Sequence, residues 1–125
     1  MPRLQHVSIP RPAGAGDVAR AFYGGLVGLT EKPVPASITQ LDLTWFEVGA
    51  GELELHVFAA EPRTDTTGRH FCLIVDDLEA MRQKLIDGGF APRETIPIPG
   101  RPRFFCQDPF GNTIEFSVIE YDYRI

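Results

Sequence analysis

Three histidines and two glutamates carry the chemistry that this chain could perform. His6 stands in "LQHVSIP" (4–10) and His70 in "GRHFCLIVDD" (68–77), each at the head of an apolar run that reads as a strand. Glu54 and His56 stand in "GELELHVF" (51–58), and Glu115 in "GNTIEFSV" (111–118). Side chains alternate across a strand, so residues two apart share a face. Glu54 and His56 therefore share one face, while Leu53, Leu55 and Val57 take the other. Thr113, Glu115 and Ser117 share a face, opposite Ile114, Phe116 and Val118. A sheltered imidazole or carboxylate must be paired or must coordinate something. Neutral imidazoles with one or two carboxylates form a ligand set for a divalent cation, with Zn, Ni, Mn, Co and Fe all compatible. Hydrogen bonding to a ligand, or to one another, is the metal-free use of the same residues.

These residues are brought together by repetition. His6, the Asp17-Val18 pair, Gly28-Leu29, Phe46 and Glu54 each find a counterpart roughly sixty residues later, in His70, Asp77-Leu78, Gly89-Phe90, Phe105 and Glu115, always in the same order. Each half reads as a strand, a helix and three more strands. In the first half the strands are expected at 4–9, 28–34, 42–49 and 52–59, and in the second at 69–75, 92–97, 102–107 and 112–120, with Pro33, Pro35, Pro97, Pro99 and Pro102 demoting the segments around them to edges or loops. The first helix, "GDVARAFYGGL", is expected to start at an Asp17 cap and to bury Val18, Ala21, Phe22 and Leu26. The second, "DDLEAMRQKLIDGG", is expected to be capped by Asp77, to bury Leu78, Met81, Leu85 and Ile86, and to stop at Gly88-Gly89. The expected fold class is α+β: two tandem βαβββ modules, 1–60 and 68–125, joined by a polar linker at 61–67, with a curved mixed sheet cupped inside and helices outside. One module alone has too few residues to cover both faces of its sheet.

Composition narrows the functions. A chain of 125 residues with 43% hydrophobic and 23% charged residues suits one globular domain. A net charge of −5 argues against a nucleic-acid partner, which calls for a basic patch. No apolar run reaches the ~18–20 residues of a membrane span, and no secretory h-region is visible, so a cytoplasmic location is expected. Cys72 and Cys106 lie in apolar runs and are expected as two buried thiols.

Four segments, "LQHVSI", "AFYGGLVGL", "RHFCLIVDDLEAMRQKLIDGGF" and "RFFCQDPFGNTIEFSV", resemble the vicinal oxygen chelate superfamily, over about residues 4–119. That group includes glyoxalase I, fosfomycin-resistance proteins, methylmalonyl-CoA epimerase, extradiol dioxygenases and bleomycin-resistance proteins. The resemblance implies metal ligands at His6, His70 and Glu115. The fourth falls on "LELHV", where Glu54 overlays Glu115 when "LEL" is laid on "IEF" and His56 sits on the same face. It also implies a lyase or isomerase of the glyoxalase type, with Glu54 and Glu115 as the catalytic carboxylates and a small-molecule substrate, in a homodimer. Arg103 and His56 are candidates for holding the substrate, a guanidinium being suited to carboxylates and phosphates. Two alternatives come with the resemblance. One is a metal-free drug-binding protein of the bleomycin-resistance kind. The other is an Fe(II) ring-cleaving dioxygenase on His6, His70 and Glu115, with His56 as its acid-base group. Asp108-Pro109-Phe110-Gly111-Asn112 reads as a structural turn. Trp45, Phe46, Phe104 and Phe105 read as core rather than as ligand-stacking residues, with one of each pair facing the cup by alternation.

Overall fold

The computed structural model describes residues 1–61, 63–64 and 66–124, so that Pro62 and Asp65 of the expected linker lie outside the described residues. The chain divides into two compact units, Met1–Arg63 and Thr64–Ile125.

In the first unit β1 (His6–Arg11), β2 (Thr30–Lys32), β3 (Leu43–Glu47) and β4 (Glu54–Ala59) form one sheet in the order β1-β4-β3-β2. β1 runs parallel to β4, and the other pairs are antiparallel. Alternation sorts the side chains. Phe46, Leu55 and Val57 point to the face that packs on the helix, with Phe22 and Tyr23 against them, and all five are buried. Each such side chain stabilises the unit by about 1.5–3 kcal/mol.

The helix of this unit departs from its expected form. α1 (Gly16–Ala19) continues as a π-helical stretch over Arg20–Leu26. Gly24 and Gly25 lie in the widened turns, and the chain leaves through bonds from Val27 N–H to the Phe22 carbonyl and from Leu29 N–H to the Tyr23 carbonyl, both 2.8 Å. Asp17 is not its cap. Ala15 holds that position without a side-chain bond, and Asp17 pairs with Arg20 one turn on. The buried stripe is Ala19, Phe22 and Tyr23, while Val18 and Ala21 are exposed.

In the second unit β5 (Phe71–Ile74), β6 (Arg103–Gln107) and β7 (Thr113–Ser117) form a sheet in the order β5-β7-β6, with β5 parallel to β7. The strand expected at 92–97 is reduced to a single bridge between Arg93 and Phe105. Pro92 and Pro97 bound that segment, and a proline has no N–H to give to a ladder. α2 (Leu78–Asp87) matches its sequence signals closely. Asp77 accepts from Ala80 N–H at 3.0 Å, an N-cap bond. At the other end Phe90 N–H bonds the Leu85 carbonyl and Gly89 N–H the Ile86 carbonyl, with Gly89 at φ +89°. That is a Schellman stop, for which glycine is the favoured residue. Leu78, Met81 and Leu85 are buried against Phe104 and Phe116, but Ile86 is exposed. The Asp108 turn is structural as expected. Its carboxylate accepts from the backbone N–H groups of Phe110 and Asn112 and from the Asn112 side chain. Cys106 is buried, whereas Cys72 is exposed: alternation places it opposite Leu73, on the face away from the helix.

Candidate functional site

In each unit the sheet face away from the helix is the polar one. Strand register fixes which residues share it. In the first unit His6 pairs with Glu54, Ser8 with His56, Trp45 with His56, and Lys32 with Trp45. In the second unit Cys72 pairs with Glu115 and Phe105 with Glu115. If His6 and His70 are taken as equivalent, Ser8 corresponds to Cys72 and Trp45 to Phe105. The register then makes His56, not Glu54, the counterpart of Glu115, and Glu54 the counterpart of Thr113. The local overlay of "LEL" on "IEF" is off by two residues, one full period of a strand.

The first unit holds its polar residues in a stack. Trp45 lies flat on His56, with ring centroids 3.7 Å apart and planes within 4°. His6 lies on the other side of His56, at 4.2 Å and 18°. His56 Nε2 and Glu54 Oε1 are 2.8 Å apart, and Glu54 Oε2 is ion-paired with Lys32 Nζ. The Lys32 ammonium, and after it the His56 ring, hold the Glu54 carboxyl down at about 2. His6 Nδ1 faces Gln5 Oε1 at 2.8 Å, while the Gln5 amide nitrogen donates to the Glu52 carbonyl.

The second unit is arranged more openly. His70 Nδ1 faces the Gly68 carbonyl at 2.8 Å and His70 Nε2 faces Glu115 Oε1 at 3.0 Å. Arg103 Nη1 reaches the same oxygen at 3.5 Å, while its Nη2 donates to the Ile96 carbonyl at 2.8 Å. Phe105 meets the His70 ring edge-on at 4.8 Å. Next to this cluster, a cavity of about 340 Å³ is lined by Leu78, Arg82, Glu94, Ile98 and Arg101, and it shares Arg103 with the cluster.

The hydrogen-bond partners assign the ring protons. A carbonyl oxygen only accepts, so His6 and His70 each carry a proton on Nδ1; neutral His6 then has its lone pair on Nε2, whereas Nε2 of His70 faces the Glu115 carboxylate. A metal-ligating histidine characteristically donates its other ring N–H in this way. The contact between His70 Nε2 and the acid oxygen needs a cation, whether a proton or a metal ion, to be favourable. The donor chemistry of His70 and Glu115 within the second unit therefore fits a divalent ion. Glu54 has both oxygens committed already. Among the described residues no group of three or more His, Cys, Asp or Glu side chains is placed to hold a metal ion; each unit brings two such groups into direct register.

Alternation turns one of Trp45 and Phe46 to the polar face, and it is Trp45 that lies there while Phe46 is buried. Two participants escape the sequence reading. Lys32 is hidden because the signal for it is three-residue alternation in a short edge strand. Arg11 is almost fully buried in β1, bonding Asp42, Thr44 and the Pro12 carbonyl; nothing in "IPRP" marks an arginine as internal.

Comparison with known proteins places the chain. Residues 3–116 match the glyoxalase/bleomycin resistance protein/dioxygenase superfamily. A glyoxalase family protein from Bacillus anthracis is 30% identical, with 95% of this chain and 96% of that one covered at a TM-score of 0.83. An antibiotic-binding protein from a Streptomyces species shares the fold at 20% identity, with 95% and 97% covered and a TM-score of 0.72. So does a fosfomycin resistance protein from Listeria monocytogenes, solved with Mn(II) and sulfate, at 11% identity, 99% and 95% coverage and a TM-score of 0.79. No protein of curated function matches the sequence. No helix among the described residues is long and apolar enough to cross a membrane. With its two βαβββ units and a match that spans nearly its whole length, the chain belongs to the glyoxalase/bleomycin resistance protein/dioxygenase superfamily.

Proposed function

We propose that the protein is a metal-dependent isomerase or lyase of the glyoxalase type, acting on a small molecule with neighbouring oxygen atoms. The metal donors assigned in the second unit are His70 and Glu115; within the first unit the candidate donors are His6 and His56. The observation that carries the reading is the His70 arrangement: Nδ1–H on the Gly68 carbonyl, and Nε2 facing Glu115 Oε1 at 3.0 Å across a contact that calls for a proton or a metal ion. When bound, a divalent ion supplies Lewis-acid polarisation of the substrate oxygens.

The remaining roles belong to the chain's own groups. Glu115 is assigned to proton transfer next to the substrate carbonyl. Glu54 is unsuited to it, because a carboxyl held at about 2 is a weak proton acceptor at neutral pH. Arg103, anchored through Nη2 to the Ile96 carbonyl, presents the rest of its guanidinium on the same sheet face as Glu115 and orients an anionic substrate group. Phe105 and Trp45 give the polar residues apolar backing.

The test is metal titration of the chelator-treated protein with Mn(II), Ni(II) and Zn(II), alone and as His70→Ala and Glu115→Ala. We expect saturable binding that each substitution weakens by roughly a hundredfold or more. Equal binding in wild type and both variants would overturn the assignment.

A second reading, metal-free sequestration of a small molecule, is favoured by one feature. Both carboxylates already face a fixed cation, Lys32 beside Glu54 and Arg103 beside Glu115. Absence of any metal binding together with tight binding of an aromatic drug would select it.

A further inference from the structure

The three histidines do not present the same nitrogen. His6 and His70 bond amide or backbone oxygens through Nδ1, and His70 also faces Glu115 through Nε2. His56 does the reverse, since Nε2 is the atom 2.8 Å from Glu54 Oε1, and an ionised carboxylate accepts only from an N–H. Its lone pair is therefore on Nδ1. Two independent constraints hold that ring. Trp45 at 3.7 Å and His6 at 4.2 Å, both nearly parallel to it, fix its plane. Stacking does not stop the ring from turning over within that plane; the bond to Glu54 does. Glu54 is in turn pinned, because its second oxygen belongs to Lys32, and the side chains of both are largely sheltered, at 13% and 30% exposure.

We propose that Lys32 and Glu54 are a positioning pair that locks His56 in the Nε2–H tautomer, so that His56 offers Nδ1 where His6 offers Nε2. Neither residue of the pair contacts the metal or the substrate. The second unit has no such relay. Its residue at the register of Glu54 is Thr113, and its residue at the register of His56 is Glu115, which needs no tautomer. The relay is the addition that a histidine requires at a position its sister unit fills with a carboxylate. The tautomer part of this inference stands on geometry alone, and its consequence for metal affinity rests on the function proposed above.

The test uses the full-length ¹⁵N-labelled chain, metal-free, at one fixed pH above neutrality. Long-range ¹H–¹⁵N spectra resolve the ring nitrogens of three histidines, and single His→Gln variants assign them. We expect His56 with its proton on Nε2 and His6 with its proton on Nδ1. Glu54→Leu is expected to release His56 into a mixture of tautomers. Glu54→Gln, whose carbonyl still accepts, is expected to retain the Nε2–H form, and Lys32→Met to loosen it partially. Mn(II) affinity should follow, falling roughly 10–100-fold in Glu54→Leu and several-fold in Lys32→Met, as for other outer partners of metal-ligating histidines. A wild-type His56 protonated on Nδ1 overturns the inference without any variant, as does a tautomer indifferent to Glu54→Leu. If the wild type binds no metal but His56 shows the expected tautomer and responds to Glu54, the metal reading fails and the positioning pair stands. If metal binds and Glu54→Leu alters neither tautomer nor affinity, the positioning pair fails and the metal reading stands.

Discussion

His56 and Glu115 occupy the same place in two copies of one βαβββ plan, and the units treat them in opposite ways. The first unit encloses its residue, with a ring above, a ring below and an ion pair at the edge. The second leaves Glu115 between a histidine at 3.0 Å and a guanidinium at 3.5 Å. The contrast extends to the buried arginines. Arg11 is 1% exposed and makes short bonds to Asp42 at 2.7 Å and Thr44 at 3.0 Å. Arg103 is anchored mainly through one backbone carbonyl. Nε of each is buried without a hydrogen-bond partner. One unit is thus built to hold its polar groups still, and the other keeps them within reach of an incoming group. Duplication supplies the scaffold, and divergence at a few equivalent positions separates a tightly bonded polar face from a more open one.

The largest effect should come from the arginines. Arg11→Met strands the buried Thr44 hydroxyl and removes three bonds, two to side chains and one to the Pro12 carbonyl. It should cost about 2–4 kcal/mol in urea unfolding. Arg103→Met loses one strong bond and one long one, and should cost about 1 kcal/mol. Equal losses would break the contrast between the units.

The hairpin turns separate the units next. Gly111 precedes β7 and Gly49 lies in the turn before β4, both at positive φ. A Cβ at Gly111 would sit 2.8 Å from Thr64 Cα, whereas one at Gly49 would meet nothing within 4 Å. Both alanine variants should lose about 1–2 kcal/mol to the left-handed backbone. Gly111→Ala should lose a further ~1 kcal/mol to the clash with main chain. Thermal melts of the two variants make the comparison directly.

Helix caps give a smaller difference. Asp77→Ala removes an N-cap bond and should cost about 1 kcal/mol. Asp17→Ala removes only an exposed pair with Arg20 and should cost at most a few tenths of a kcal/mol. A large loss from Asp17→Ala would mean that the π-helical stretch depends on its first turn.

These differences mark what could be read in advance. The repeat, the period-two strands, the Asp77 and Gly89 boundaries and the Asp108 turn are local signals, and local signals survive into the structure. So does the identity of the polar face, because it follows from alternation inside each strand. What failed was non-local. The equivalence of His56 and Glu115 depends on which residue of β1 lies beside which residue of β4, and a three-residue overlay has no information about that. The π-helical widening reflects Gly24-Gly25 and the way Phe22 and Tyr23 seat on the sheet. Lys32 and Arg11 are surface residue types recruited inward by partners far along the chain. The prolines around 92–97, by contrast, mark in the sequence a segment that keeps only a single bridge.

Acid should expose the smallest of the expected differences. Asp42 is held down at about 2, first by its bond from Arg11 and then by the N–H of Gly14. A carboxyl whose folded value lies below its unfolded value near 3.8 contributes stability that is fully present above that unfolded value. The contribution is lost as pH falls from there through about 2, because the unfolded chain takes up the proton first. Asp42 is 43% exposed, so solvent screens much of the gain and the effect on unfolding is modest. Arg11→Met removes the main cause, and its unfolding free energy should vary less steeply with pH across that window than that of the wild type. Asp42→Asn should flatten the same window while leaving Arg11 its bonds to Thr44 and Pro12. The two variants then separate the charge of the pair from the burial of the arginine. A wild-type slope that both substitutions leave unchanged would place the acid sensitivity of the first unit elsewhere.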